Sequence, residues 1–408
     1  MDRSTVLRTL LNLARATLLT MVFSPAQAQV VALPDIADDK RIVTGAERTS
    51  FYLPLLKDHR VAVVTNQTGQ VAGVPLVDTL LALRVNVVKV LAPEHGFRGE
   101  ADAGEHVASG VDKRTGLPVI SLYGKHKKPT PQDLEGVDAV VFDIQDVGVR
   151  FYTYVSTLHY VMEACAELRK PLLVMDRPNP NGFYVDGPVL DTAYRSFVGM
   201  HPVPLVHGMT VGEYARMING ERWLEGGAQC ALTVVPCIGY AHAMYYTLPV
   251  RPSPNLPNMA AVYLYPSLGL FEGTVVSVGR GTELPFQCIG HPGARIGGYA
   301  FTPRSMSGAK DPPYKDVPCT GMNLSEYGRF FTRLEPQLHL QWLIGFHKEA
   351  QDPKTFFNPF FDKLAGGPAL RLAVQAGADE SHIRASWKPA LDAFRTVRGR
   401  YLLYPDVR

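Results

Sequence analysis

The chain has 408 residues, with 41 Lys plus Arg against 38 Asp plus Glu, a net charge of +3 and 46% hydrophobic residues. That near balance excludes the basic excess of a nucleic-acid binder and gives no argument for an anionic membrane surface. Five scattered cysteines (Cys165, Cys230, Cys237, Cys288, Cys319) contain no C-x-x-C pair, which excludes a zinc knuckle and a disulfide framework.

In chain order the first feature is a leader. Arg3, Arg8 and Arg15 precede an apolar stretch at 16–23, and Ala26-Gln27-Ala28 has the small-x-small form of a signal-peptidase site. The stretch is too short to span a bilayer. Residues 1–28 therefore predict a signal peptide on an exported protein, periplasmic or secreted, without stable membrane insertion. The leader carries three arginines and one aspartate, so its removal leaves +1 on 380 residues. A chain of that length exceeds what one core usually holds, and two domains are expected. A Cys230–Cys237 bridge is geometrically open to an exported chain, although buried free thiols are the simpler reading.

From residue 60 short apolar runs alternate with helical patterns. The runs 61–64, 87–91, 139–142 and 172–175 are continuous rather than alternating, as in strands buried on both faces of a parallel sheet. Segments 75–84 and 155–169 carry apolar residues at three-to-four spacing and predict crossover helices. The fold class is thus α/β: a Rossmann-like parallel-sheet domain over 40–235. Beyond residue 236 the texture turns Pro- and Gly-dense, with helical patterns at 338–348 and 387–398. A second, smaller α+β domain is expected over 236–408, completing an interdomain cleft.

In such sheets ligands bind beyond the carboxyl ends of the strands. The runs are followed by TNQTG, PEHG, DIQD and DRPNP, so each strand end carries polar, turn-rich chemistry. No H-E-x-x-H, G-x-S-x-G, Walker A or post-strand G-x-G-x-x-G is present, and S-x-x-K at 307–310 stands among glycines and prolines without its companion motifs. No cofactor and no metal are expected. What remains is carboxylate chemistry. Glu94 closes the second run, and a partly dehydrated carboxyl in such a crevice holds its proton as a general acid needs. Asp143 and Asp146 close the third run, where they can hold a water, a hydroxyl or a cation; helix capping is an equal reading for Asp146. Glu272 and Glu283 are second-domain carboxylates able to face Glu94. Residues 151–154 (FYTY), Tyr154 among them, with Tyr263, Tyr265, Asn66, Asn255, His207 and His95, suit sugar recognition. Arg98, Arg150, Arg177 and Arg280 lie in loops where a guanidinium can hold a carboxylate bidentately.

The strings VTNQTG (64–69), APEHGFRGEADAGE (92–105), GLPVISLYG (116–124), FDIQDVGVRFYTY (142–154), DRPNP (176–180), HGMTVGE (207–213), PSPN (252–255), FEGT (271–274) and GRGTELPF (279–286) resemble the exo-β-N-acetylmuramidase family, formerly the DUF1343 proteins. The resemblance runs from about residue 45 to SWKPALDAF and YLLYP near the end. It implies a glycoside hydrolase that releases N-acetylmuramic acid from non-reducing ends of peptidoglycan fragments, with its site at the interface of two domains. It also implies that the catalytic glutamate is Glu94. Asp143, Asp146, Glu272 and Glu283 are the candidates for a second carboxylate, and Arg98 or Arg150 for the group that holds the lactyl carboxylate. One departure is Val275, where relatives often carry Asn after FEGT. Two rival readings are a metal-dependent hydrolase using His95, His106, Asp143 and Asp146, and a noncatalytic cell-wall sugar-binding protein.

Overall fold

The structure, a computed structural model, describes residues 41–94, 96–98 and 109–406. Residues 42–408 fall in one compact unit. The continuous apolar runs become its centre. Strands β1 (Arg60–Thr65), β2 (Asn86–Ala92), β3 (Gly110–Val111), β4 (Pro118–Ser121), β5 (Ala139–Asp143), β6 (Leu172–Met175) and β7 (Leu232–Val235) form one seven-stranded sheet in the order β7-β6-β5-β1-β2-β4-β3. Every pairing is parallel except β3 with β4 at one edge. The four predicted strands are all present. Strands β4 and β7 were not predicted: β4 opens on a proline, and β7 is an edge strand with three of its four residues only half-buried.

Alternate residues of each strand face opposite layers. Val61, Val63, Val141, Leu173 and Met175 pack under helices α1 (Thr49–Leu56) and α2 (Leu76–Ala82). Ala62, Val64, Phe142 and Val174 face α3 (Tyr154–Glu167) and α4 (Val211–Gly220). Each fully buried Val or Leu contributes about 1.5–3 kcal/mol, so the two apolar layers fix which residues stand at each strand's end. Helix α4 begins with a reciprocal cap: Thr210 Oγ1 accepts from Glu213 N at 3.2 Å and Thr210 N donates to Glu213 Oε2 at 2.9 Å.

After residue 258 come α5 (Met259–Leu268), a three-stranded antiparallel sheet of β8 (Cys288–His291), β9 (Tyr299–Phe301) and β10 (Cys319–Asn323) in the order β8-β10-β9, then α6 (Gln341–Lys348) and α7 (Glu380–Gly399). This is the α+β part. Its Leu264, Phe271, Phe346 and Phe394 join the same hydrophobic cluster as the α3 face of the main sheet. All five cysteines are buried and free, and the thiol of Cys230 neighbours Cys165 rather than Cys237. Among the described residues no helix is long and apolar enough to cross a membrane.

The topology positions the site. From β1 the chain moves outward through β2 to β4, then returns to the other flank of β1 as β5. The loops leaving β1 and β5 therefore diverge, and a crevice opens between them at the carboxyl rim. Thr65 pairs with Asp143 across that point, and Thr65 Oγ1 donates to the Asp143 carbonyl at 2.8 Å.

Candidate active site

Glu94 stands two residues beyond the end of β2, half-buried. The Thr153 hydroxyl, at the N-cap of α3, donates to Glu94 Oε2 at 2.8 Å. Tyr123, two residues beyond the end of β4, is a second hydroxyl hydrogen-bonded to Glu94; burial and then the Glu94 charge push its pKa up, so it stays a donor. The charge of Glu94 also acts on Tyr154, Tyr265 and Arg280. One carboxylate thus gathers side chains from the ends of β2 and β4, the start of α3, and the α5 region.

Asp146 closes the same crevice from β5. Its Oδ1 accepts from Gly148 N at 2.7 Å, while Oδ2 is buried without a partner. Burial raises its pKa from the ordinary 3.8 to about 7, against the opposing pull of the Gly148 and Val147 amides. Asp146 acts electrostatically on Tyr152, Tyr154 and Tyr265, and so shares two neighbours with Glu94. The turn that aims it requires glycine: Gly148 has φ 76°, and a Cβ there would lie 2.3 Å from the Asn179 amide.

Around these two carboxyls the rim holds buried polar atoms short of partners: Gln67 Oε1, Gln145 Oε1 and Asp146 Oδ2 have none, and the Asn66 amide and the Tyr154 hydroxyl lie against each other, with Tyr152 beside them. Their side chains are otherwise tightly held. Asn66 Oδ1 accepts from Thr68 N and Oγ1, Gln67 Nε2 reaches the Arg251 and Pro252 carbonyls, and Gln145 Nε2 donates to the Asp146 and Pro178 carbonyls, both at 2.8 Å. Buried polar atoms are ordinarily paired, so such a concentration on fixed side chains describes a surface waiting for hydroxyl and amide groups. Tyr152, Tyr154 and Tyr265 supply aromatic wall, with Tyr152–Tyr154 centroids 4.9 Å apart and Tyr152–Tyr265 5.8 Å. On the α+β side Arg280 pairs with Glu272 Oε1 through Nε at 2.8 Å and Nη2 at 2.7 Å; its Nη1 has no partner among the described residues. A cleft of about 200 Å³ opens beside this pair, walled by Phe271, Val275 and Tyr314.

Of the sequence candidates, the structure brings Glu94, Asp146, Asn66, Tyr154, Glu272 and Arg280 together. Others it places elsewhere. Asp143 is fully buried and both its oxygens are taken by Arg177, at 2.6 and 2.9 Å, so it is a structural ion-pair partner and not a free carboxylate. Arg150 has no exposed surface and its guanidinium donates to the Pro188, Val203 and Leu364 carbonyls; it clamps loops and cannot reach a substrate carboxylate. Arg98 is held bidentately by Asp112 over the Phe97 ring. His207 is a core histidine: its Nδ1 accepts from Met209 N, its ring packs on Tyr214, and burial pushes its pKa down to about 3. Asn255 is buried with its amide spent on the Gly308 carbonyl at 2.7 Å. Glu283 is exposed to solvent, which removes the dehydration a catalytic acid needs. His95 and His106 lie outside the described residues.

Sequence reasoning missed Tyr123, Thr153 as a Glu94 partner, Gln67 and Gln145. All four lie inside quoted motifs, but only pairing geometry reveals their roles. The metal-hydrolase ligand set loses Asp143 to Arg177. Among the described residues the acidic triplet Glu163, Glu167 and Glu225 lies elsewhere, and Lys128 already bridges Glu163 and Glu167 at 2.6 Å to each.

Beneath the rim, Asp176 at the end of β6 accepts from Thr210 Oγ1 at 2.8 Å, Gly212 N at 2.7 Å and the Tyr404 hydroxyl. Burial, then Glu213, raises its pKa to about 6. Glu213 in turn accepts from Leu403 N at 2.8 Å and contacts His242 Nε2 at 3.1 Å. Leu403 and Tyr404 are therefore strapped to the floor of the sheet's carboxyl end.

Residues 61–260 match a family model described as exo-beta-N-acetylmuramidase NamZ, N-terminal, and residues 263–404 match its C-terminal counterpart. The chain is 38% identical over 385 residues, 86% of its length and 89% of the relative's, to peptidoglycan beta-N-acetylmuramidase NamZ of Bacillus subtilis (strain 168). Two crystal structures of DUF1343 family proteins from Bacteroides fragilis NCTC 9343 are also similar. One has a TM-score of 0.84 at 46% identity, covering 90% of this chain and 100% of that one. The other has a TM-score of 0.72 at 31% identity, covering 89% and 99%.

Proposed function

The chain belongs to the exo-β-N-acetylmuramidase family, and from that premise, with the groups around Glu94, we infer the reaction it performs and the residues that carry it. It is a glycoside hydrolase acting on peptidoglycan-derived saccharides, releasing N-acetylmuramic acid from their non-reducing ends. Glu94 is the general acid/base: Thr153 and Tyr123 fix its carboxyl in one orientation, as proton transfer to a departing sugar oxygen requires. Asp146 is the second carboxyl, and near neutral pH it is divided between a protonated hydroxyl donor and a charged acceptor. The under-partnered side chains of Asn66, Gln67, Gln145 and Tyr154 receive sugar hydroxyls and the acetamido group. Arg280, with Nη1 unspent, holds the lactyl carboxylate.

The observation that carries this reading is the set of under-partnered buried polar atoms around two carboxyls at the sheet's switch point. Its test is Glu94→Gln, which keeps shape and removes the proton donor. Turnover of a chromogenic N-acetylmuramide is expected to fall by roughly 10²–10⁴, the usual contribution of general acid–base catalysis, with the melting temperature unchanged. Near-normal turnover contradicts the assignment. The division into a Rossmann-like domain (40–235) and a smaller α+β domain (236–408) belongs to the same proposal, and limited proteolysis within 230–262 tests it. So does export: residues 1–28 lie outside the described residues, and N-terminal sequencing of the protein recovered from cells is expected to begin at Gln29. Retention of Met1 refutes it.

A further inference from the structure

A cavity of about 630 Å³ lies away from Glu94, on the flank of α3, and is the size of an ordinary ligand site. Three half-buried aromatics, Tyr160, Phe197 and Trp223, form its walls, with Tyr160 stacked on Phe197 at 6.3 Å and 17°. Two cations line it without an ion-pair partner among the described residues. Lys127 Nζ stands 4.4 Å over the Phe197 ring, and Arg195 spends one nitrogen on His159 Nε2 at 3.3 Å. Ser196 Oγ is buried in the lining with no hydrogen-bond partner. The loop is braced, since Ser196 and Gly199 exchange both backbone hydrogen bonds, at 2.9 and 3.0 Å. Of the two acidic residues present, Glu163 is neutralised by Lys128 and accepts from Glu225 N, whereas the Glu225 carboxylate is exposed.

The cavity is connected to the active site by the helix itself. Thr153, which binds Glu94, and Tyr160 are seven positions apart, two turns, so they share one stripe of α3. Thr153 and Tyr160 are partly open to solvent at the two ends of that stripe, while Ser156 and Thr157 between them are buried. Seven residues at about 1.5 Å each put the aromatic wall roughly 10 Å from the Glu94 end. An extended peptide covers that distance in about three residues.

On the reading of the protein as a muramidase, we propose that this cavity is a distal subsite for the acidic peptide carried by a muramyl residue on the leaving side of the scissile bond. Arg195 and Lys127 bind its carboxylates, the aromatic walls cover its methyl and methylene groups, and Glu225 meets its amine. That mixture of signs separates a peptide, which bears carboxylates and an amine, from a sugar acid, which bears only the carboxylate.

The test is the full chain carrying Arg195→Ala with Lys127→Ala, compared with the unaltered protein on three substrates: a chromogenic N-acetylmuramide, a muramic-acid-terminated saccharide, and the same saccharide bearing the tetrapeptide alanyl-D-glutamyl-lysyl-D-alanine on its internal muramyl residue. The expected result is a KM about tenfold higher for the peptide-bearing saccharide alone, with kcat and both other substrates unchanged. An unchanged KM overturns the proposal. So does an equal rise on the unsubstituted saccharide, which assigns the site to the sugar's own carboxylate. Calorimetric titration of the free tetrapeptide decides the matter even if no substrate turns over, an outcome that would sink the muramidase reading instead. Saturable binding lost in the double variant supports the subsite, and no binding to the unaltered protein refutes it.

Discussion

Replacing Asp146 by asparagine keeps the Oδ1 acceptor for Gly148 N and removes a proton that the buried carboxyl holds abnormally tightly. The native group titrates near 7 and the unfolded one near the ordinary 3.8. Between those values the folded state carries one proton more, so stability is fully present below the lower value and falls as pH rises through the upper one. Each unit of displacement is worth about 1.36 kcal/mol, giving a penalty on the order of 4 kcal/mol above pH 7, of which about 3 kcal/mol accrues between pH 5 and pH 8. Asparagine has no such titration. The unfolding free energy of Asp146→Asn relative to the unaltered protein, from guanidinium melts at pH 5, 6.5 and 8, is therefore expected to rise by about that 3 kcal/mol across the series. Hydrolysis by the unaltered enzyme should decline over the same interval if the protonated carboxyl donates to substrate. Two stability curves that run parallel from pH 5 to pH 8 would refute the reasoning, because every other titrating group cancels in the difference.

Arg280→Ala removes the unspent guanidinium, and KM for muramic acid substrates should rise about ten- to hundredfold, the loss of one or two charge-assisted hydrogen bonds, while any activity on N-acetylglucosamine analogues is spared. Equal loss on both would contradict the lactyl role. Gly148→Ala forces a left-handed residue against Asn179 and is expected to cost at least about 2 kcal/mol in a denaturant melt. Arg177→Met strands the Asp143 carboxylate and should cost about 3–5 kcal/mol, much of it recovered in the Asp143→Leu, Arg177→Met double variant. No recovery would show the cost to lie in packing rather than in the lone charge.

The sheet was legible because strands covered on both faces must be apolar without interruption, and β1, β2, β5 and β6 are. Once those runs are aligned in parallel, the residues that follow them share a rim, and Glu94, Asp146 and Asn66 can be placed before any coordinate is known. Partners are another matter. Asp143 looks like a catalytic carboxylate until Arg177, 34 positions away, is seen to occupy both oxygens. Arg150 looks like a substrate clamp until its carbonyls, contributed from positions 188, 203 and 364, come into view. Charge is local in sequence; its neutralisation depends on tertiary contacts, and no spacing rule reports them. Tyr123 escaped because its strand, β4, is four residues long and opens on proline.

The strap formed by residues 403–406 has a consequence for how the chamber is held shut from below. Asp176 and Glu213, buried beneath the reaction chamber, receive their final donors from Tyr404 and Leu403, while Pro405 accepts from His242 N and Asp406 pairs with Arg398. Deleting residues 403–406 would take those donors from two desolvated acids at once, loosening the floor of the vault from a distance of some two hundred positions along the chain.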